Sequence, residues 1–507
     1  MDLSHLSAPV PARDWLMILG LFGGILVLIA LSELLRRRRG WPGEFTRKLV
    51  HVLVGVMMFF IPILLQSSLP MVLIAAFFTL GNWIAIRRHL LQGMHGARES
   101  YGTVYYPFSF LLLVLLAWPG QVILIISAMM VLALGDAAAA IVGESRPRPR
   151  AYSLTGDVKS REGTVAMFLV SATVIFLILR FPPFGVAVPA LSPLKMLLGA
   201  ILCAALTSAA EALSRKGSDN LSVPLTCALV LYVLLYRDDA AFRQLLLGSF
   251  LGGTAALAFF RLHLLSASGA VATFLLAAVI FGFGGWAWTV PVLCFFLLSS
   301  LLSRVGRQRK NRYELIFEKG SRRDYAQVFA NGGMAGLLMI LHMFLQEPLI
   351  YLLYLAALAA ATADTWATEL GTLARQQPRL ITSLRPVPAG TSGGITFTGL
   401  SSAFGGALVI ALSGMMFLPA GYGWPAIAAV TICGLLGSLI DSGLGATLQA
   451  QYRCENCRQI TEKTVHCNSQ LTRQISGLSW MNNDLVNFIS TAGAAALGYL
   501  LMGIGKY

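Results

Sequence analysis

Four acidic residues interrupt otherwise apolar stretches of the chain: Asp136, Glu211, Asp364 and Asp441. An unpaired charge in hydrocarbon costs several kcal/mol, so an acid in such a position generally serves a function. Carboxylates are ligands that Mg²⁺ prefers, and Mg²⁺ bridges the phosphates of bound nucleotides. We therefore predict that these four residues are catalytic and bind Mg²⁺ in phosphoryl transfer.

Loops rich in glycine, hydroxyl and basic residues follow the first and third of these acids. Glycine backbones and helix N-termini offer N–H groups to phosphate oxygens, and lysine or arginine neutralises the remaining charge. The residues predicted to bind nucleotide are Gly143, Lys159, Arg161, Glu162, Gly163, Thr164, Asp219 and Asn220 in the first half, and Arg379, Arg385, Gly390, Thr391, Ser392, Gly393, Asn483 and Asp484 in the second. Neither half has a Walker or Rossmann glycine motif, so a soluble-type nucleotide fold is not indicated.

The spacing of these residues indicates an internal duplication. The sequences LGDAAAAIVG and ADTWATELG place an alanine and a glycine at the same offsets from Asp136 and Asp364. Further pairs follow at nearly equal distances: Gly163-Thr164 with Gly390-Thr391, Glu211 with Asp441, and Asp219-Asn220 with Asn482-Asn483-Asp484. We predict two units, residues 1–241 and 242–507, each with its own site.

The elements that position these residues must be membrane helices. The 507 residues are 56% hydrophobic and 12% charged, whereas soluble domains carry about 25% charge. The composition excludes a soluble enzyme with a single anchor, and it predicts an all-α polytopic integral membrane protein with about 16 transmembrane helices in two parallel-oriented repeats of about eight. The predicted spans are 14–35, 49–65, 69–86, 105–117, 121–142, 163–180, 194–213, 221–236, 243–260, 265–281, 286–303, 326–345, 349–371, 395–417, 424–447 and 484–504.

Positive charge predicts the orientation of these spans. With the first span ending inside at Arg36–Arg39, the alternate connections contain all but six of the 38 lysines and arginines. This bias predicts that the active-site loops lie on the cytoplasmic side of a membrane, which we take to be the bacterial cytoplasmic membrane. It also accounts for the net charge of +15 without a nucleic-acid partner. The basic loop 304–323 is interpreted as a topology determinant and linker without a catalytic role.

Three of the seven cysteines lie outside apolar runs: Cys454, Cys457 and Cys467. Together with His466 they could hold tetrahedral Zn²⁺. Adjacent residues do not easily bind one ion together, however, so His466 and Cys467 are not both expected as ligands. A Zn²⁺ site and a set of reduced surface thiols remain alternative interpretations.

The first half resembles the CTP-dependent polyprenol kinases, the group that includes phytol kinase and dolichol kinase. The resemblance lies in RKLVH at 47–51, GDAAAAIVG at 135–143, KSREGT at 159–164 and EALSRKGSDNLSVPL at 211–225, and it covers roughly residues 15–240. It implies that CTP is bound by Asp136, Ala139, Gly143, Lys159, Glu162 and Gly163, with Glu211, Asp219 and Asn220 as further polar site residues. Ser160-Arg161 departs from the family pattern, which leaves CTP or another nucleoside triphosphate as the donor.

The second half resembles the family of phytyl-phosphate kinase, and the likeness covers roughly residues 240–507. The matching segments are DYAQVFANGG at 324–333, ADTWATELG at 363–371, PRLITSLRPVPAGTSGG at 378–394, GSLIDSGLGATLQ at 437–449 and NNDLVN at 482–487. The two resemblances imply a fusion that phosphorylates phytol, or a similar isoprenoid alcohol, first to the monophosphate and then to the diphosphate. Its partners would be membrane lipid, the isoprenoid alcohol and its phosphate, and a nucleoside triphosphate.

The residues alone also permit two other functions. Acids within membrane helices occur as ion relays of transporters, and parallel repeats occur there too, so a secondary transporter of an anionic solute is one alternative. The other is a lipid cytidylyltransferase, which would release pyrophosphate instead of CDP.

Overall fold

The protein is described by a computed structural model that covers residues 6–7, 9–41, 43–88, 100–183, 185–304, 322–467 and 470–503. The chain divides into two compact units, Met1–Phe242 and Arg243–Tyr507. Most of the basic loop 304–323 and most of the basic connection 87–104 lie outside the described residues, as does Lys506. Their predicted positions stay predictions.

The first unit consists of apolar helices and one short β-hairpin. In chain order these are α1 Ala12–Arg39, α2 Gly43–Leu64, α3 Leu69–Arg87, α4 Gly102–Ala117, α5 Val122–Met130, a π-helix Val131–Asp136, α6 Ala137–Ser145, β1 Ala151–Ser153, β2 Val158–Ser160, α7 Arg161–Arg180, α8 Pro193–Ala212 and α9 Asp219–Tyr236. Helix α10, Asp239–Arg261, begins at the end of this unit and continues into the second. Strands β1 and β2 are antiparallel, with Tyr152 opposite Lys159.

The second unit repeats this composition and adds a longer β-rich loop. Its elements are α11 Ala267–Arg304, α12 Tyr325–Leu345, α13 Leu349–Gly371, β3 Arg379–Leu380, β4 Gly394–Ile395, α14 Phe397–Ser413, a 3₁₀ turn Met415–Phe417, α15 Trp424–Thr447, β5 Gln451–Arg453, β6 Ile460–Thr461, β7 Val465–His466, β8 Gln470–Leu471, β9 Arg473–Ser476 and α16 Asn483–Gly503. Strand β5 pairs with β6 and β9, and β7 pairs with β8, all antiparallel.

Many of these helices can cross a membrane. Within the described residues, thirteen helices are long and apolar enough to do so, and Lys48–Leu64 and Gly102–Ala117 are shorter apolar helices. This confirms a mostly helical polytopic membrane protein, while the number of sixteen spans stays a prediction. Helix α11 has 38 residues and bends at Gly285, whose φ of 60° and ψ of −152° suit glycine, so that it covers two of the predicted spans.

Both units present the same order of elements around their acids. In each unit a helix that carries an aspartate, α5 to α6 or α13, is followed by a hairpin and then by a helix with a hydroxyl cap, α7 or α14. The next helix carries a second acid, and it is α8 or α15. The last helix, α9 or α16, begins with Asp and Asn residues. Corresponding helices also pack in corresponding pairs, for example α7 with α8 and α14 with α15, or α4 with α9 and α12 with α16. The parallel orientation of the two repeats across the membrane stays a prediction.

Glycine allows the helices of the second unit to approach closely. Helix α13 is buried from Ile350 to Ala363, and its small residues face α15. A Cβ added at Gly437 of α15 would lie 2.5 Å from the Cβ of Ala360 and 3.0 Å from that of Ala494. The alanine-rich run of α13 therefore serves tight packing, as small residues commonly do between membrane helices.

Gly437→Ala is expected to destabilise the second unit by about 1–3 kcal/mol, because neither α13 nor α16 can move away without losing its own contacts. Gly443→Ala is the matched control on the same helix, since a Cβ there meets nothing within 4 Å. Thermal unfolding of the two variants in detergent should show a lower midpoint for the first only. Equal midpoints would show that the approach is not tight.

Candidate active site

Asp136 lies at the end of the π-helix, where the helix path is locally widened. The π-helix Val131–Asp136 interrupts an otherwise continuous apolar helix, and Asp136 is half-buried. Segments of π-helix are rare and are frequently found at functional sites. The position of Asp136 is therefore set by a local distortion as well as by the membrane helix.

Lys159 and Glu211 form a buried ion pair beside the hairpin of the first unit. The Lys159 Nζ donates to Glu211 Oε1 at 2.5 Å, to Ser214 Oγ at 2.8 Å and to the backbone carbonyl of Glu211. The side chains of Lys159 and Glu211 are only 15% and 8% exposed. Glu211 Oε2 is buried, and no described residue donates a hydrogen bond to it.

Two further acids act electrostatically on this pair. Burial alone would lower the pKa of the Lys159 ammonium, but the charge of Glu211, and then those of Asp219 and Asp136, outweigh burial and raise that pKa. Lys159 is therefore the positive centre of an acidic cluster that comes from the π-helix, α8 and α9. The structure thus brings four of the predicted residues of the first half together.

The other residues predicted for the first half have structural contacts. A Cβ at Gly143 would lie 2.6 Å from Ser160 Oγ, and one at Gly163 would lie 2.6 Å from the Ala139 carbonyl oxygen, so close packing of α6 on α7 accounts for both glycines. Three of the remaining four make hydrogen bonds to neighbouring groups: Glu162 Oε2 accepts from the Arg150 N–H, Thr164 Oγ1 bonds with the Tyr152 hydroxyl, and Asn220 Nδ2 donates to the Gly217 carbonyl. The fourth, Arg161, is exposed.

The same packing in the second unit corrects one predicted correspondence. Ser160 caps α7 by accepting from the Gly163 N–H at 3.1 Å, and Thr396 caps α14 by accepting from the Gly399 N–H at 2.9 Å. A Cβ at Gly399 would lie 3.3 Å from the Ala367 carbonyl oxygen. The counterpart of Gly163 is thus Gly399, and the predicted match with Gly390-Thr391 is wrong because β3 and β4 enclose a longer loop than β1 and β2.

The second unit contains a cavity of about 370 Å³ that collects most of its predicted residues. Those lining it are Asp364, Asp441, Gly390, Thr391, Ser392, Gly393 and Asn483. Gly393 has a φ of 79°, and a Cβ there would lie 2.7 Å from the Ala446 backbone nitrogen, so glycine allows the loop to lie directly against α15. Asp484, Arg379 and Arg385 do not line the cavity.

Four carboxylates line this cavity: Asp364, Glu369, Asp441 and Glu462. The carboxyl groups of Asp364 and Asp441 lie close enough to share a hydrogen bond, and Glu462 adds a third negative charge that acts on both. Glu462 Oε1 accepts from Ser392 Oγ at 2.9 Å and from Gln449 Nε2 at 2.8 Å. Asp441 Oδ2 is buried and accepts no hydrogen bond from the described part of the chain.

Arg323 brings positive charge to the same cavity. It is the only lysine or arginine among the described residues that line it. Burial lowers the pKa of its guanidinium to about 10, while the charge of Glu369 acts in the opposite direction, so Arg323 remains cationic at neutral pH. Its guanidinium lies over the rings of Phe295 and Phe296. Arg323 is the last residue of the loop 304–323, and the interpretation of that loop as a topology determinant and linker without a catalytic role stays a prediction.

The cysteines of the loop between α15 and α16 form a compact cluster with histidine. Ligand atoms of Cys454, Cys457, His466 and Cys467 all lie within 4.8 Å of one another. The expectation that adjacent His466 and Cys467 cannot both reach one point is therefore wrong. The Cys457 N–H donates to the Cys454 sulfur and, with smaller contributions from His466 and Asn456, lowers the pKa of the Cys454 thiol to about 6.

Comparison with known proteins shows the family. The model of a family described as integral membrane protein DUF92 matches residues 223–495, which is more than half of the chain. This chain belongs to the DUF92 family. Protein PGR of Arabidopsis thaliana is 33% identical to it over 249 residues, 45% of this chain and 85% of that protein. An uncharacterized membrane protein of Methanocaldococcus jannaschii is 32% identical over 234 residues, 46% of this chain and 84% of its own length.

A further relative of this DUF92 protein has an enzyme name. It is similar to phytol kinase of Synechocystis sp., with 36% identity over 218 residues, 42% of this chain and 88% of that protein. More than half of the DUF92 protein therefore lies outside that alignment. No solved structure gives a significant match.

Two residues at the cavity of this DUF92 protein, Glu462 and Arg323, were not predicted from the sequence as site residues. Glu462 lies midway between the Cys-x-x-Cys and His-Cys pairs, which is the one sequence feature that could have drawn attention to it. Arg323 directly precedes Asp324, whose side chain forms a capping box with Gln327 at the start of α12. Because such a cap fixes the start of the helix, the sequence could have indicated that a basic residue stands at this point.

Proposed function

We propose that the chain is a bifunctional membrane kinase of isoprenoid lipids. The first unit phosphorylates phytol, or a similar isoprenoid alcohol, to the monophosphate, and the second phosphorylates the monophosphate to the diphosphate, each using CTP or another nucleoside triphosphate. The observation that carries the proposal is the acidic cluster beside a hairpin in both units, in a chain similar to a phytol kinase over less than half of its length. A single kinase activity would not account for the acidic cluster of the second unit.

In the first reaction the lipid hydroxyl oxygen bonds to the terminal phosphorus, and the bond from that phosphorus to the bridging oxygen breaks. The bridging oxygen leaves with the electron pair as part of the nucleoside diphosphate. The hydroxyl proton must pass to a base, and the carboxylates near Lys159 are the available acceptors. Lys159 would balance negative charge that builds up on the phosphoryl oxygens.

The second reaction needs less from a base, because the attacking oxygen of a lipid phosphate is already anionic at neutral pH. The difficulty is instead repulsion between two phosphate groups. Arg323 offers a fixed positive charge at the cavity, and the loop residues Gly390, Ser392 and Gly393, which also line it, would bring backbone N–H groups to phosphate oxygens. Each unit thus has a cation among its acids, Lys159 in the first and Arg323 in the second.

The acids fit a divalent cation in both units. Glu211 Oε2 and Asp441 Oδ2 are buried oxygens that accept no hydrogen bond from any described residue, and each lies beside another carboxylate. Asp136 with Glu211, and Asp364 with Asp441, would hold Mg²⁺, and Glu462 would add negative charge nearby. When bound, Mg²⁺ would neutralise charge on the phosphate oxygens of the nucleotide.

The test uses full-length protein in detergent with phytol and CTP labelled either at the γ-phosphate or at the α-phosphate. We expect γ-label in a lipid monophosphate and then in a lipid diphosphate. Label from the α-phosphate in the lipid, with release of pyrophosphate, would instead identify a cytidylyltransferase. Absence of labelled lipid, with thermal stabilisation by an anionic solute and none by Mg²⁺ with CTP, would favour a transporter.

Glu462→Gln is expected to raise the Mg²⁺ concentration for half-maximal diphosphate formation about tenfold, which corresponds to about 1.4 kcal/mol. The reason is that the substitution removes a negative charge from the cavity while both hydrogen bonds to Oε1 can be retained. Glu455→Gln is the matched control, since Glu455 belongs to the same loop and is exposed. An unchanged Mg²⁺ requirement in Glu462→Gln would remove Glu462 from the site.

A further inference from the structure

The described residues of the loop between α15 and α16 form short paired strands with few buried apolar side chains. Its strands β5 to β9 are two to four residues long. Their apolar side chains largely face outward: Leu471 is 80% exposed, Ile460 46% and Val465 43%. Because a segment this small cannot bury a hydrophobic core, it normally needs disulfides or a metal ion. All seven cysteines are free.

The cluster has the composition and spacing of a tetrahedral metal site. His466 Nδ1 lies 3.5 Å from Cys457 Sγ and 3.2 Å from Cys467 Sγ. With bonds of about 2.3 Å to sulfur and about 2.0 Å to nitrogen, ligand atoms around tetrahedral Zn²⁺ lie roughly 3.5–3.8 Å apart. These two separations lie close to that range, and the longest in the cluster, 4.8 Å, would have to shorten by about 1 Å to accommodate an ion.

Backbone geometry explains how adjacent residues contribute to one site. Cys467 directly follows β7 and has a φ of 36°, a left-handed conformation that non-glycine residues seldom adopt. Successive side chains of a strand point to opposite faces, and the turn at Cys467 ends that alternation. Its sulfur thereby lies on the same side as the ring of His466.

We propose that Cys454, Cys457, His466 and Cys467 bind one Zn²⁺ ion through three thiolates and one imidazole, and that the ion holds the loop in the position from which Glu462 reaches the cavity. Three sulfurs and one nitrogen are a preferred set for Zn²⁺, and four protein ligands leave no open position for catalysis. The ion is therefore structural. Glu462 follows β6 and precedes His466 by four residues, so the metal-bound ends restrain it on both sides.

Metal content tests the site independently of any kinase activity. Full-length protein purified without added metal should contain about one zinc per chain by mass spectrometry. The double variant Cys457→Ser, Cys467→Ser should lose it, whereas Cys294→Ser, a half-buried thiol within α11, should retain it. Equal zinc content in the two variants, or none in the native protein, would overturn the proposal. Should the double variant fail to fold, titrating native thiols and measuring released zinc with a chromogenic chelator gives the same information.

Trypsin tests the second half of the proposal. Arg453, Arg458 and Lys463 lie within the loop and are potential cleavage sites. Removing the metal with a chelator should accelerate cleavage there about tenfold, and re-adding Zn²⁺ should reverse the effect. Unchanged cleavage would show that the ion does not hold the loop. Because neither measurement uses nucleotide or lipid, failure of the kinase proposal would leave both results unaffected.

Discussion

Asp364→Asn is expected to make the protein accumulate lipid monophosphate, whereas Asp136→Asn should stop formation of the monophosphate from the alcohol. Each substitution should slow its own step by about 100- to 1,000-fold, the usual cost of removing one group that stabilises developing charge. The reason is that Asp136 belongs to the cluster around Lys159 and Asp364 belongs to the cavity of the second unit. Amide for carboxylate preserves shape while removing a negative charge and a metal ligand.

Supplying each intermediate separates the two steps. Asp136→Asn should still convert added lipid monophosphate to diphosphate at the native rate, and Asp364→Asn should still phosphorylate the alcohol. Asp239→Asn is a suitable control, because Asp239 is 68% exposed, pairs with Lys195 and belongs to neither predicted site. Loss of both activities in each variant would contradict two separate sites.

Lys159→Met is expected to reduce monophosphate formation about 100-fold or more and to destabilise the first unit by about 3–5 kcal/mol. The instability arises because Glu211 would remain buried with its partner removed. Since the pKa of Lys159 is raised, this stabilising charge is present throughout the neutral range and is lost only as the pH rises through that raised value. Thermal unfolding in detergent and the labelled-lipid assay measure the two effects.

A second substitution tests whether the instability of Lys159→Met comes from the unpaired charge of Glu211. The double variant Lys159→Met, Glu211→Gln removes that charge and should recover most of the stability. It should stay inactive, because Glu211 is itself proposed as a Mg²⁺ ligand. Lys195→Met is the matched lysine control in the same unit, since its partner Asp239 is 68% exposed. Recovery of activity along with stability would contradict catalytic roles for both Lys159 and Glu211.

Much of the fold follows from composition, because apolar runs of membrane length leave a chain few options other than helices. Repeated offsets could also place Asp136, Glu211 and Asp219 in one arrangement, while Lys159 was predicted from the basic loop that lies between them in the sequence. Spacing could not show that Gly163 corresponds to Gly399, because that match depends on which carbonyl each glycine approaches. Because the loop between the two strands is longer in the second unit, spacing in the sequence does not reveal that Gly163 and Gly399 correspond.

The same physical reason explains why the sequence did not predict the positions of Glu462 and Arg323. Glu462 and Arg323 come to the cavity from segments that have no hydrophobic periodicity, so no pattern in the sequence fixes where their side chains lie. The sequence likewise predicted that adjacent His466 and Cys467 would not easily bind one ion together. The left-handed backbone conformation of Cys467 resolves this conflict. Arg379, which the sequence predicts to bind nucleotide, donates to the Leu384 carbonyl and does not line the cavity, and its role stays a prediction.

The π-helix before Asp136 has a consequence for how the length of this chain can vary. A π-helical turn closes its hydrogen bond over one residue more than an α-helical turn does. Deleting one residue within 131–135 would therefore restore regular α-helical turns and would hardly shorten the 24-residue helix Val122–Ser145. Such a shortened protein should still insert into a bilayer, while Asp136 would lose the backbone position that the wider turn gives it.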